Sequence, residues 1–382
     1  MAAYRLRIGD SGPPTNPLAG TITTIGTQSF YDYLGTVYAA LPEGLAAADT
    51  RMNVRTGAMS YCGATIWRGK FAIPIMGGHG DCYDDGGYAL DLSTGVWETL
   101  IGPTTFGSSA AVSDANGEWT GGTFGRPASQ HTLQHLITVG DDMIQGNTAF
   151  GGTAANGSKQ AHRWNYSSGL WERYGDTGGG ISPNDGCFVH YDAARNRIVR
   201  INFTQVYGKL DTIPADDAGA AWTSITSQAS SRIGTSAYSS MGYHEALDCY
   251  VMIDPQGLTP RNTVYVMDPD DLVVGWLPVS VSGDVPTSKF SPGLEYCPIK
   301  QCMTSVDSSV NNKLFYITPT GSMTDPWVWT SEEFTGTAVA WDGNGGGDYN
   351  GVYSRFLWYA PLAGFVMLKK SAALVELYVP TV

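Results

Sequence analysis

Residues 73–100 read IPIMGGHGDCYDDGGYALDLSTGVWETL. An apolar run ends on a glycine pair and a polar loop follows. Alternating apolar residues resume at Tyr88, a turn intervenes, and a short strand-like run opens on Trp97. Apolar and polar residues in alternation, bounded by Gly, Asp and Ser, are the pattern of half-buried β-strands joined by turns. The tryptophan recurs in the same setting, as VWETL at Trp97, LWERY at Trp171, AWTSI at Trp222, GWLPV at Trp276 and VWTSE at Trp329, at spacings of 74, 51, 54 and 53 residues.

A second marker repeats in step. HYDAARNRIVRI, GYHEALDCYVMI, EYCPIKQCMTSV and WYAPLAGFVML each put a tyrosine (Tyr191, Tyr243, Tyr296, Tyr359) at a strand end, then a short turn, then an apolar strand. TIWRGKFAIPIM and LITVGDDMIQGN are shorter versions of the same hairpin, and YALDLSTG, AHRWNYSSG, GKLDTIP, TVYVMDPDD and KLFYITPTG supply a third strand before each tryptophan. A unit of four antiparallel strands in about 50 residues is the period of a propeller blade.

Five complete units span 58–103, 130–176, 186–228, 240–283 and 293–336, and a sixth, 352–382, holds only three strands. The alternating, Thr-rich segment 21–30 is the natural fourth strand, and its pairing there removes an open sheet edge. The chain therefore reads as an N-terminal arm, 1–20, followed by one all-β domain, 21–382. That domain is a six-bladed β-propeller of four-stranded antiparallel blades closed by the N- and C-terminal strands. Seven blades is the alternative, because 30–57 and 104–129 have room for further strands.

The pattern GG…YALDLSTGVW over 77–97 resembles a kelch repeat, in which a glycine pair ends the second strand and Tyr and Trp follow; FGG…HRWNYSSGLW at 150–171 is a looser copy. The other units share only the Tyr/Trp frame, with NFTQ, DPQG, DSSV and KKSA where the glycines would stand. The chain also resembles uncharacterised kelch-like proteins of bacteria and their phages, several of which share an RPxSxH-like stretch, here Arg126 to His131. Galactose oxidase is the kelch-type enzyme for comparison, but its copper set of two Tyr and two His, one Tyr linked to Cys, has no matching positions in this chain. Resemblance of this kind implies architecture rather than activity.

Composition narrows the function classes. A net charge of −13 argues against nucleic acid, which is bound through clustered Lys and Arg. No apolar run approaches the ~20 residues of a membrane span, and MAAYRLRIGDSGPPTNPLAG has no apolar signal core. Six cysteines without CxxC spacing read as free thiols packed as small hydrophobes, with one or two disulfides left open.

The long links between units (31–57, 77–87, 104–129, 175–185, 255–262, 336–350) fall on one face, and the opposite links are tight turns such as AARN, LSTG and YSSG. Rigid blades holding long loops mark the functional face. His79 with Asp81 is the sharpest candidate there, a histidine oriented by a carboxylate, although the glycines on either side favour a loop residue bonding its own backbone. Asp81, Asp84 and Asp85 form a short acidic loop that reads as solvated, with calcium as the alternative; no other cofactor is expected. WDGNGGGDYNG (341–351) lacks the terminal Glu of a calcium loop and reads as a link. His131, His135, His190, His244, Arg126, Asp185, Glu295 and Arg355 fall on or beside inner strands, where some converge on the channel and others only satisfy backbone. Trp119, Phe124, Tyr207, Tyr238, Tyr349 and Tyr353 are aromatic platforms suited to sugar rings or a protein's anchor residues, or else packing between blades.

No GxSxG, HExxH, Walker or zinc-spaced motif occurs. The sequence thus points to a non-enzymatic display or binding module for glycan or protein, a structural or receptor-binding part of a phage particle. In that reading its binding residues are His79, Asp81, Arg126, Trp119, Tyr349 and Tyr353, and the arm contacts other virion proteins. The rival is a carbohydrate-active enzyme, a polysaccharide lyase or an oxidase, with His79, Arg126 and His131 at its funnel; a cytoplasmic interaction scaffold is the third reading.

Overall fold

The computed structural model describes residues 18–44, 46, 62–75, 84–104, 118, 126–127, 132, 134–146, 160–175, 187–202, 209–226, 239–253, 263–286, 293–306, 310–339 and 352–382. The architecture is all-β and propeller-like: four-stranded antiparallel sheets follow one another along the chain, each a meander. β2 (Thr65–Trp67), β3 (Lys70–Ile73), β4 (Gly87–Asp91) and β5 (Trp97–Ile101) form the first. β6 (Leu136–Val139), β7 (Asp142–Gln145), β8 (Ala161–Asn165) and β9 (Leu170–Tyr174) form the second. The third comprises β10 (Cys187–Asp192), β11 (Arg197–Asn202), β12 (Lys209–Pro214) and β13 (Thr223–Thr226).

An eight-stranded sheet comes next. Its halves are β14 (Ser240–His244), β15 (Cys249–Ile253), β16 (Thr263–Met267) and β17 (Leu277–Gly283), then β18 (Leu294–Cys297), β19 (Cys302–Val306), β20 (Lys313–Pro319) and β21 (Trp327–Glu333). They join edge to edge through a short parallel pairing of β17 with β21, Val281 opposite Trp327. The last sheet is β22 (Phe356–Tyr359), β23 (Gly364–Met367) and β24 (Val375–Val379), completed by the N-terminal β1 (Thr21–Ile25). β1 pairs antiparallel with β24, Thr21 opposite Val379 through Ile25 opposite Val375, as the alternating 21–30 segment predicts.

The turns fall where the sequence places them. The four-residue turns after Asp192, His244, Cys297 and Tyr359 each end on a left-handed residue, Asn196, Asp248, Gln301 and Ala363, with φ of 46°, 49°, 50° and 47°. In the first sheet Arg68 and Gly69 both take positive φ (48° and 78°), the two-residue hairpin whose twist suits antiparallel strands. Apolar side chains from consecutive sheets interlock. Trp67, Ala89, Met143 and Trp171 lie in one cluster between the first and second, and Ile144, Tyr174, Ile198 and Trp222 in the next. Val366, Leu377, Phe71 and Leu90 then pack the last sheet against the first. Trp97, Trp171 and Trp222 are buried in these seams, and Trp276 and Trp329 in the apolar clusters of the later sheets.

One element departs from expectation. Residues 30–39, inside a segment with room for strands, form helix α1 (Phe30–Ala39). Ser29 caps it by accepting from the Asp32 N–H, and Phe30, Leu34 and Tyr38, four residues apart, make one apolar stripe. That stripe packs on the first sheet, with the Phe30 ring 4.7 Å from Trp97. Among the described residues no helix is long and apolar enough to cross a membrane. Cys62, Cys249, Cys297 and Cys302 are free and buried, the last two directly opposite on the β18–β19 hairpin. Cys82 lies outside the described residues.

Gly95, the glycine of the LSTG turn, is held by the closure rather than by its turn alone. Its φ is +69°, and a Cβ there would come within 2.5 Å of the Gly26 Cα, just past β1. Gly169, its counterpart in YSSG, has a φ of +66° and open space around it. Gly169→Ala is therefore expected to cost about 1 kcal/mol, the conformational penalty alone. Gly95→Ala, which also drives β1 away from the first sheet, should cost several times more; equal losses in thermal melts of the two variants would contradict this account.

Candidate functional site

The strands that begin each meander, β2, β6, β10, β14, β18 and β22, surround a central cavity of about 350 Å³. Each contributes to its wall, with Ile66, Ile137, His190, Gly242, Glu295 and Trp358 as one residue from each. His190, Gly242 and Glu295 each lie six residues before the left-handed residue that ends their turn, and so does Leu357 of β22, which also lines the cavity, so one register position of the repeat faces the channel in these four strands. Gly242 is there for a steric reason: a Cβ would meet the Leu294 carbonyl oxygen at 2.9 Å and the Met303 methyl at 2.4 Å. Bulk at this position would push β14 away from β18.

Two titratable groups in the wall are displaced in opposite directions. Glu295 is pushed up to about 8, chiefly because the channel withholds water from its carboxylate and then because Glu245 lies near; the Trp358 N–H it accepts opposes this only in part. His190 is brought down to about 4 by desolvation, partly offset by Asp192. At neutral pH the imidazole is neutral and Glu295 largely keeps its proton. The His190 ring lies 4.6 Å from Tyr243 and edge-on to Tyr250 at 5.5 Å. Tyr243 in turn donates its hydroxyl proton to Asp248, and burial raises its pKa above the ordinary phenol value.

Beside this corner the tight turns are tied by charge. Arg195 grips Asp248 with two nitrogens, at 3.1 and 2.8 Å, and reaches Asp270 at 2.6 Å and Asp192 at 3.3 Å. Arg197 Nε donates to Asp192 at 3.0 Å. Arg195 holds the carboxyls of Asp248 and Asp270 below the usual range. The planar fork suits such bridging, and it fixes the β10–β11 turn against the β14–β15 turn.

Several candidates named from the sequence lie outside the described residues: His79, Asp81, Trp119, Phe124, His131, Asp185, Tyr207, Tyr238 and Tyr349. Tyr353 opens a single-turn helix, Tyr353–Arg355, before β22. Arg126 is a clamp: its Nη2 donates to the carbonyls of Asp85 at 2.9 Å and Gly102 at 2.6 Å, and its Nε lies 2.8 Å from the Asp85 carboxylate, close but off the hydrogen-bonding angle. Asp84 and Asp85 are fully buried rather than solvated. Asp84 accepts from the hydroxyls of Tyr38 at 2.6 Å and Tyr88 at 2.8 Å and from the Gly86 N–H at 2.6 Å. Thr104 donates to both oxygens of Asp85, at 2.7 and 2.6 Å. These carboxylates tie helix α1 and the 102–104 segment to the first sheet. Among the described residues no group of three His, Cys, Asp or Glu is arranged to hold a metal ion.

The remaining inner-strand candidates separate. His190 and Glu295 face the channel. His135 and Arg355 are fully buried, and the Arg355 Nη1 donates to the Lys369 carbonyl at 3.4 Å. His244 caps the turn 245–247, accepting from Leu247, and packs on Tyr296 at 4.9 Å. Tyr243, Glu245 and Trp358 were not singled out from the sequence as site residues; the signal was their place at or within two residues of a frame tyrosine.

No family model matches the sequence, and no curated protein does. The kelch likeness therefore rests on the quoted motifs, whose glycine pairs Gly77–Gly78 and Gly151–Gly152 lie outside the described residues. Among solved structures the chain is similar to TolB from Acinetobacter baumannii, at 11% identity and a TM-score of 0.37, over 72% of this chain and 57% of that one. The match spans little more than half of that protein, and a likeness this distant carries no argument about function.

Burial raises Asp84 to about 6, against Tyr38, Gly86 and Tyr88, which favour its ionised form. A carboxyl whose folded pKa lies above its unfolded value of 3.8 stabilises the fold most below that value, and the contribution is lost as pH rises through about 6. Asp84→Asn can keep bonds to both tyrosine hydroxyls without a charge to bury. Relative to the parent, its melting temperature should rise as pH goes from 4 to 6.5, by the equivalent of up to about 3 kcal/mol; parallel profiles would show that Asp84 does not titrate there.

Proposed function

We propose that the chain is a six-bladed propeller acting as a non-enzymatic binding module, with the central channel as its binding site. The two halves of the eight-stranded sheet count as two blades in this reading, with β17 and β21 as neighbouring outer strands. Support for the count comes from the apolar clusters between successive units and from β1 completing the last of them.

The observation that carries the binding reading is the cavity itself. Its volume of about 350 Å³ lies at the lower end of the range for small-ligand pockets. Aliphatic, aromatic and carboxyl groups share its wall, the mixture with which a site covers a ligand's body and orients its polar end. A protruding group of a protein or a glycan suits such a space, in keeping with the sequence reading. The phage setting belongs to the same proposal and is supported by the sequence likeness at 126–131 alone.

A panel of polysaccharides and of basic and acidic polypeptides, immobilised and tested for retention of the purified protein, examines this directly. Leu357→Trp places a bulky indole in the channel wall. It should abolish retention while leaving the melting temperature within a few degrees of the parent. Retention unchanged by this plug would move the site away from the channel.

A further inference from the structure

The channel wall has a one-sided chemistry. No Lys or Arg belongs to it among the described residues, and its only histidine is held neutral. Its carboxyl groups are Glu245, after β14, and Glu295, on β18, near enough to influence each other. His190, Tyr243 and Trp358 bring aromatic surface to the same space, while Ile66, Ile137 and Leu357 make an aliphatic side.

We infer that the channel receives an organic cation, a guanidinium or ammonium group on an aliphatic stem, with its charge at Glu295 and Glu245 and its stem along Ile66, Ile137 and Leu357. The inference rests on the channel being the binding site and names what enters it. Three physical arguments favour a cation over a neutral or anionic ligand. A positive group between the two carboxylates removes their repulsion and satisfies the Glu295 oxygens that water reaches poorly, while Glu245 stands exposed at the edge of the same space. Aromatic faces attract cations through the negative centre of the ring, more strongly where water is scarce. An apolar stem with a charged tip is the shape of an arginine or lysine side chain, and it matches a wall that is aliphatic on one side and acidic on the other. The chain's charge of −13 also draws cations from solution.

Binding then displaces a proton. Glu295 keeps its proton up to about pH 8 in the free protein, and the cation binds its ionised form. Below that pH, affinity should fall by up to tenfold per unit, because the proton must leave first. Facing groups that bear on this titration are Glu245 just after β14, the neutral His190 from β10 and the phenols of Tyr191, Tyr243 and Tyr296; β22 offers Phe356, Leu357 and Trp358, and the turn before it Ser354, all without charge. Guanidinium does not titrate in this range, so the pH dependence belongs to the protein.

The test is calorimetric titration of the full chain with N-acetyl-arginine amide and its neutral isostere N-acetyl-citrulline amide, at pH 6.5, 7.5 and 8.5. An acetylated Gly-Arg-Gly amide is run beside them. The arginine derivative should bind at least tenfold more tightly than citrulline, more tightly as pH rises, and with proton release visible as a buffer-dependent heat. Glu295→Gln should lose the preference and the pH dependence together, while its melting curve stays cooperative. Tighter binding of the tripeptide would assign the cation to a polypeptide partner, and equal binding would assign it to a free small molecule; either supports the inference. Equal binding of citrulline, or full affinity in Glu295→Gln, overturns the cation while leaving the channel as the site. Retention of a polysaccharide that Leu357→Trp abolishes, with no response to arginine, also overturns it; retention that survives the plug overturns the channel reading itself.

Discussion

A meander of antiparallel sheets has an edge at each end of the chain, and this fold depends on joining those two edges. β1 does so by pairing with β24 along five residues, so the last sheet contains strands from both ends of the described chain. The same strand is tied sideways. Ile22 donates to the Thr335 carbonyl at 2.8 Å, Thr335 donates to Gly20 at 2.9 Å, and Gly26 abuts Gly95 of the first sheet. One five-residue strand thus meets the final sheet, the segment leaving β21 and the first sheet. An unpaired β24 would offer a row of free backbone groups to another chain, so the pairing guards against aggregation as well as stabilising the fold.

Buried charge adds specificity where apolar packing is permissive. Arg200 and Asp211 are both fully buried, paired at 2.8 Å, with the guanidinium 3.9 Å from the Trp222 ring and a bond of 3.1 Å to the Gly146 carbonyl of the neighbouring sheet. Lys369 and Glu376 make a second such pair, at 3.1 Å, and Lys369 also donates to the carbonyls of Asn311 and Val339 at 2.9 Å. Such pairs contribute little net stability against a well-packed apolar substitute, but losing one partner strands a buried charge. They therefore fix which sheet sits against which. Asp84 and Asp85 do the same for helix α1 and the 102–104 segment.

The channel inherits its chemistry from the repeat. Four strands that begin a meander, β10, β14, β18 and β22, present the same register position inward, and the repeat constrains the backbone there far more than the side chain. Four frames carry His190, Gly242, Glu295 and Leu357 at that position. The repeat builds the cylinder, and individual substitutions within it set the charge and polarity of its bore.

The amino-acid order alone determined the class of structure. Recurrent Tyr and Trp at about 50-residue intervals, alternation within the strands, turns ending on Gly or Asn, and the Thr-rich segment near the N-terminus are local signals, and each was legible because backbone geometry is local. The cap Ser29 and the spacing of Phe30, Leu34 and Tyr38 were also legible as a helix, yet a segment sized for strands masked them. What only the tertiary structure decided were relations between distant residues. It put Asp84 under two tyrosines rather than in water, turned Arg126 into a backbone clamp, and brought Glu295 within influence of Glu245 in a water-poor channel. Spacing along a chain carries periodicity, but the pKa of a carboxyl depends on how much water and which charges surround it, and both are properties of the assembled ring.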